Sequence, residues 1–311
     1  MTSISTGLTP TAVPGAVKER TAMKGGGGAV ANQGKANWVV KLALILICFL
    51  WVVPIIGLLI TSLRTQDAAN SSGWWTVIAN PLDFTQWTLQ NYNEVATGSN
   101  MLRAFVNSFA VTLPATIIPI MIAAFAAYAF SFMEFKGRDT LFIMIVSLLV
   151  IPNQVALVPL LQIYGNLGLN GTFLAVWLAH IGFGMPLAIY ILRNYMSTLP
   201  KELVESAKMD GASHFQTFWK LIIPVSTPAL ASFAIFQFLW VWNDLLVALL
   251  FLGPGENEPM TVNLAGLVGA QGQGWQLITA GGFFTMAVPL LVFLSLQRYF
   301  VRGMTAGSVK G

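Results

Sequence analysis

Apolar residues fill this chain in long stretches, and the charged residues that interrupt them divide it into elements. Between Lys41 and Arg64 lie 22 residues without a charge, and between Arg103 and Glu134 lie 30. From Asp139 to Arg193 the uncharged stretch reaches 53 residues. As one helix it would measure about 80 Å against a hydrocarbon core of about 30 Å. It must fold back, and Gly165-Asn166-Leu167-Gly168-Leu169-Asn170-Gly171 supplies the turn. A further apolar stretch, Ser226 to Leu252, holds one acid, Asp244, and another runs from Trp275 to Leu296. The Gly- and Pro-rich linker between these two cannot be helical throughout. The pattern predicts an all-α integral membrane protein whose six spans, near 42–63, 104–133, 140–163, 172–192, 226–252 and 275–297, lie within a domain over 38–303. Residues 1–37, with Gly25-Gly26-Gly27-Gly28 and no apolar period, and 304–311 read as flexible tails.

Composition agrees and orients the spans. Charged residues make up 9% of the chain and hydrophobic ones 56%, where a soluble domain carries about a quarter charged. That excludes a soluble enzyme and a disordered chain. It also turns the pI near 9.3 from a nucleic-acid signal into a topology signal. Of the 16 basic residues, all but Arg64 and Arg103 fall on one side of the predicted spans. The basic excess places both termini in the cytoplasm. Cys48, alone in an apolar run, reads as a small buried hydrophobe. A cleaved signal peptide is not expected, because the first apolar run is too long and ends without a small-x-small site. The Gly34-Lys35 pair is not a phosphate-binding loop, since Ala29 and Ala36 stand where the first glycine and the hydroxyl belong.

The cytoplasmic stretch 197–224 differs from the other connections. Thr198 reads as an N-cap, Pro200 as a first-turn residue, and Glu202 and Glu205 as acids at the positive end of a short helix. Gly211 ends that helix. A second amphipathic stretch, Ser213 to Leu221, carries Phe215, Phe218 and Trp219 on one face before Pro224 stops it. Periodicity alone fits equally a pair of helices lying on the lipid surface.

The spacing points further. Glu205-Ser206-Ala207, three residues, Gly211, nine residues and Leu221-Ile222-Ile223-Pro224 closely resembles the EAA loop, E-A-A-x3-G-x9-I-x-L-P, of membrane subunits of ATP-binding-cassette importers, departing at Ser206, Leu221 and Ile223. Trp87-Thr88-Leu89-Gln90-Asn91-Tyr92, Ala127-Tyr128-Ala129-Phe130 with Phe135-Lys136-Gly137-Arg138, Ile151-Pro152, Pro159-Leu160, Leu167-Gly168-Leu169-Asn170 and Trp242-Asn243-Asp244 look like the carbohydrate, MalG-like branch of that family. The resemblance covers roughly residues 38–303. It implies the type I importer permease topology in a bacterial or archaeal cytoplasmic membrane. It implies as partners a second homologous permease subunit, an ATPase dimer and an extracytoplasmic sugar-binding protein. ATP and Mg would bind the ATPase, so this chain needs no cofactor, binds no metal and catalyses nothing. The sugar implied is a maltose- or α-glucoside-like oligosaccharide, although trehalose and glycerol-3-phosphate are carried by similar subunits.

Carried over residue by residue, Glu205, Ala207, Gly211 and Pro224 become the coupling residues. Glu205 would pair with a basic group of the ATPase, Ala207 would allow close approach, and Gly211 would make a bend where a Cβ would obstruct the turn or the docking surface. The loop Gly269-Ala270-Gln271-Gly272-Gln273-Gly274, in which Gly269, Gln271, Gly272 and Gly274 are the candidate contacts, would reach into the binding protein; a lax connector is the alternative. The segment from Arg64 to Met101 is a second docking surface. Along the translocation path the candidates are Asn153 and Gln154 after Pro152, and Trp242, Asn243 and Asp244. An acid at mid-span costs about 2.5–3.5 kcal/mol on insertion, so Asp244 must face a cavity or a polar partner. It would bind sugar hydroxyls or make a structural hydrogen bond. Prolines 54, 114, 119, 152, 159, 186 and 289 predict bent helices whose freed carbonyls a neighbour satisfies. His180 reads as a packing residue rather than a proton relay, and His214 as solvated or at the ATPase contact. The competing class, a single-chain transporter driven by an ion gradient, would want paired intramembrane acids and an internal repeat, and it would leave the EAA-like loop without a use.

Overall fold

The computed structural model describes residues 38–267 and 274–305, with side chains through 297. Its helices are α1 (Trp38–Ser62), α2 (Gln66–Ser71), α3 (Thr76–Ala79), α4 (Gln90–Gly98), α5 (Met101–Phe132), α6 (Arg138–Ser147), α7 (Asn153–Asn166), α8 (Phe173–Met196), α9 (Glu202–Met209), α10 (His214–Thr217), α11 (Ile223–Trp242), α12 (Leu246–Phe251), α13 (Met260–Gly266) and α14 (Trp275–Thr305). Among the described residues the sole β-type pairing is an isolated bridge between Arg64 and Trp87. Contacts divide the chain into two units, 1–52 and 53–311. In the described part of the first, Cys48 is exposed rather than buried, because the apolar run around it presents its side chains outward. All packing described below belongs to the second unit.

Among the described residues five helices are long and apolar enough to cross a membrane: Trp38–Ser62, Met101–Phe132, Phe173–Met196, His214–Trp242 and Trp275–Gln297. A sixth candidate is the pair Arg138–Val150 and Asn153–Asn166, bent by 96°. The stretch expected as a straight span over 140–163 is therefore two arms. Pro152 disfavours the helical conformation at Ile151, which adopts an extended backbone (φ −80°, ψ 120°). The span expected over 226–252 is also interrupted, between Trp242 and Leu246.

Three clusters make the core. Around α9 and the helices that hold it, Val204 packs with Ala127 and Phe130 of α5, Leu192 and Met196 of α8, and Phe218 and Ile222. A second cluster joins Val111, Val176, Tyr164, Val241 and Phe251. The third gathers Val95, Met101, Phe238, Trp242 and Met260. Small residues at Ala104, Ala115, Ala123, Ala124, Ala175 and Ala188, all buried, let α5, α8 and α11 approach closely, as is usual where lipid supplies no hydrophobic drive between helices.

Candidate functional site

The stretch between α8 and α11 is a helix, a tight turn and a second helix. α8 runs to Met196, and α9 starts at Glu202 rather than at Thr198. The Thr198 hydroxyl donates back to the Tyr195 carbonyl at 2.7 Å and closes the preceding helix instead of capping the next. Glu202 and Glu205 occupy the first turn of α9 and Lys208 its last, the charge order the helix dipole favours. Gly211 has φ +78°. Its N–H donates to the Lys208 carbonyl at 3.0 Å, and that of Ala212 to Ala207 at 2.9 Å, which closes the helix end. A Cβ built on Gly211 meets nothing within 4 Å. Within this chain, glycine is required by the left-handed backbone and not by a neighbour, so of the two expected reasons for it, the turn and the docking surface, a steric one at the turn is not found.

Ser213 restarts the chain with a capping box: its hydroxyl accepts from the Gln216 N–H at 3.3 Å, and the Gln216 side chain accepts from the Ser213 N–H at 2.9 Å. After α10 the helix widens to a π-turn over Phe218–Ile222, with the Ile223 N–H bonded to the Phe218 carbonyl. Pro224 lacks the N–H that would bond Lys220, so the wide turn is followed by the helix start where proline is tolerated. α11 then continues into the bundle. The loop is fixed to α5 by the Tyr128 hydroxyl, 3.0 Å from His214 Nδ1, and by Phe218 stacked on Phe125 at 4.3 Å. His214 is thus bonded within the chain. Its partner Tyr128 lies in the Ala127-Tyr128-Ala129-Phe130 segment quoted above, but nothing in the sequence joins the two residues across so long a separation.

α9 buries one residue and turns the rest partly or wholly outward. Val204 is buried, whereas Glu205 is exposed and Met209 is 89% exposed. Among the described residues no basic group lies within ion-pair distance of Glu205. Beside it, a cleft of about 350 Å³ is lined by Glu134, Arg138, Lys201, Glu205, Lys208 and His214. Ala207 is half-buried, and Pro224 is exposed at the foot of α11.

The Trp242-Asn243-Asp244 segment is the opposite case. Trp242 is 3% exposed. It stacks on Phe238 at 5.6 Å, meets Phe109 edge-on at 4.9 Å, and donates its indole N–H to the Thr285 carbonyl at 3.1 Å. Trp242, a candidate for the translocation path, is thus enclosed within the chain. Asn243 donates to the Leu239 carbonyl one turn back at 2.7 Å, so its amide closes α11. Asp244 sits in the break, where its Oδ2 accepts from the Ala248 N–H at 3.0 Å and caps α12. Its own carbonyl accepts from Thr261 Oγ1 at 2.7 Å. His180 Nε2, fully buried on α8, lies 3.7 Å from Asp244 Oδ2, and the imidazole meets Trp240 edge-on at 5.5 Å. Asp244 therefore has the polar surroundings its cost demanded.

Asn153 and Gln154 are exposed at the start of α7. Asn153 lines a cavity of about 620 Å³ between the bent pair, α8 and α11, together with Tyr164, Phe183, Gly184, Gln237 and Trp240. Gly269, Gln271 and Gly272 lie outside the described residues, while Gly274 has φ +95° at the start of α14. The rest of that connection is not lax: Asn107 donates to the carbonyls of Glu256 at 2.8 Å and Glu258 at 3.0 Å, and Asn263 to the Glu258 carboxylate at 2.7 Å. The segment after α1 is likewise built on a buried polar anchor. The Arg64 guanidinium donates to the Ser72 carbonyl at 2.8 Å and hydroxyl at 2.6 Å, and burial lowers its pKa from the ordinary value. Around this anchor Trp75, Ile78, Leu82, Phe84 and Leu89 are each more than 60% exposed. Glu205 and Asp244 line different cavities.

Residues 119–306 match the family model described as binding-protein-dependent transport system inner membrane component. The chain is 57% identical over 87% of its length to the osmoprotective compounds uptake permease protein of Synechocystis sp., covering 91% of that protein. It is 41% identical over 90% of its length to the alpha-glucoside transport system permease protein of Rhizobium meliloti, covering 99% of it. It is 35% identical over 72% to the trehalose transport system permease protein of Mycobacterium tuberculosis, covering 82%. In fold it resembles a chain of a bacterial ABC transporter for alginate, with TM-score 0.71, 20% identity, and coverage of 85% of this chain and 95% of that one.

Proposed function

Because the chain belongs to the family of binding-protein-dependent transport system inner membrane components, we propose that it forms the sugar path of an α-glucoside importer and couples that path to ATP hydrolysis on partner subunits. The coarser reading is established by membership: the chain is a multi-pass permease subunit of a sugar ABC importer in the cytoplasmic membrane, and it is not itself an enzyme. A gradient-driven transporter is set aside on the same ground.

The observation that carries the substrate is the 41% identity to an alpha-glucoside permease over 99% of that protein. A maltose-like oligosaccharide is the solute. The second reading, an osmoprotective solute, is favoured by the 57% identity to a permease for such compounds. Uptake of labelled maltose and labelled trehalose by cells carrying or lacking this gene separates them. Maltose uptake lost with the gene supports the first; uptake of neither, with loss of growth at raised salt, supports the second.

In this reading the chain has six spans and cytoplasmic ends, supported by the basic residues sorted to one side. It pairs with a second, homologous permease subunit. α9 docks in a cleft of the ATPase, with Glu205 meeting a basic group, Ala207 permitting close approach and Gly211 presenting a bare turn. This is supported by the exposure of all but Ala207 and by the absence of an internal partner for Glu205 among the described residues. The exposed apolar residues around Arg64 form the platform for the sugar-binding protein, and the 269–274 loop reaches toward its cleft. Gly211→Asp tests the docking arm: uptake falls while the protein stays in the membrane, and parental uptake would refute the assignment.

A further inference from the structure

A proline inside a helix leaves unbonded the carbonyl four residues earlier, and in lipid that carbonyl needs another donor. Pro114 frees the Ala110 carbonyl of α5, which accepts from Trp177 Nε1 of α8 at 2.9 Å. Pro119 frees Ala115, one turn and a half further along α5, which accepts from Gln237 Nε2 of α11 at 3.1 Å. Pro289 frees Thr285 of α14, which accepts from Trp242 Nε1 of α11 at 3.1 Å. Three proline-freed carbonyls thus meet three side-chain N–H donors, each from a different helix than the proline.

The Gln237 arrangement needs a further accommodation. The side chain is fully buried, and it reaches α5 by passing over Gly184 of α8, where a Cβ would lie 2.8 Å from both its Nε2 and its Oε1. A glycine on one helix, a proline on a second and an amide on a third therefore make one joint. α11 supplies two of the three donors and is also the helix that rises from the coupling loop through the π-turn.

We propose that Trp177, Gln237 and Trp242 are positioning residues of the transport cycle, clamping the proline bends so that α5, α8, α11 and α14 follow the coupling loop as one body. A displacement of α9 and α10 by the ATPase enters α11 at its foot. The Gln237 clamp passes it to α5, the Trp242 clamp to α14, and the Trp177 clamp holds α8 to α5. Without a clamp the bend is free to flex and absorbs part of the movement.

The inference rests on the importer reading above, and its test separates the two. In the assembled transporter, Gln237→Met is made alone and together with Pro119→Ala, which restores an N–H for the Ala115 carbonyl. The comparison is the cost of Gln237→Met in each background, so that the loss of the bend itself cancels. Two readouts are taken: the thermal midpoint of the purified transporter, and labelled maltose moved per ATP hydrolysed. With Pro119 present, Gln237→Met lowers the midpoint by roughly 2–4 °C and the transport ratio several-fold. With Ala at position 119, both costs shrink to a third or less. Equal cost in the two backgrounds overturns the proposal, as does a parental transport ratio in Gln237→Met. If Gln237→Met does not assemble, Trp242→Phe with Pro289→Ala forms the same cycle. Absence of maltose transport in the parental transporter counts against the sugar reading alone, and the thermal cycle then decides the clamps.

Discussion

The 197–224 loop and the Trp242–Asp244 break are both places where polar residues interrupt long helices, and they use those residues in opposite directions. At the break each of the three side chains is answered inside the chain: Trp242 by Thr285, Asn243 by Leu239, Asp244 by Ala248. At α9, Glu205 has no basic neighbour within ion-pair distance among the described residues, and Met209 faces outward. An acid in the interior of a membrane protein is expensive and is found paired. An acid at the surface costs little to leave bare. Satisfied polar groups report architecture, and a bare one at the surface leaves room for a partner.

The sharpest way to break this contrast is Gly211→Asp. Nothing in the chain beyond the adjoining residues lies within 4 Å of the added Cβ, so the proposed ATPase contact is where the new side chain would be felt, beside the backbone cost that Gly211→Asn shares. Uptake should fall at least about tenfold, a barrier of about 1.4 kcal/mol, with the protein inserted at its usual level; Gly211→Asn, whose side chain tolerates positive φ, should keep more. Next in size is Gly211→Ala. It pays the left-handed backbone term of about 1–2 kcal/mol, read as loss of thermal stability in the loop by hydrogen exchange. Trp242→Phe keeps the aromatic packing and removes one interhelical hydrogen bond, about 0.6–1.7 kcal/mol, seen as a lower unfolding midpoint with sugar preference unchanged. The smallest effect belongs to Asp244→Asn. The amide oxygen can still cap Ala248, so stability changes by less than about 0.5 kcal/mol and the ranking of sugars by uptake stays the same. A changed sugar ranking in either of the last two variants would move the break from architecture to substrate contact.

Much of this was legible in the sequence because charge is so scarce that each charged residue marks a boundary. The turn at Gly211 was legible too, since a glycine after a short amphipathic helix has few other uses. The 96° bend between α6 and α7 was less so. Pro152 announces a kink, but its angle depends on what the two arms pack against. The role of Trp242 was not legible from its neighbours, an amide and an acid, which fit sugar contact and structural bonding alike. Its true partner, Thr285, is 43 residues away, and only Pro289 four residues beyond hints that a carbonyl there needs a donor. The same holds for Gln237 and Trp177: the prolines mark which carbonyls are free, and the fold decides who answers.

The central proposal, that Glu205 meets an outside partner while the side chains of the Trp242–Asp244 break bond within the chain, is tested most directly by a photo-crosslinking amino acid placed at position 205 or at position 243 of the assembled importer. The account predicts a covalent adduct with the ATPase from position 205 and none from position 243. An ATPase adduct from both positions, or from neither, would contradict it.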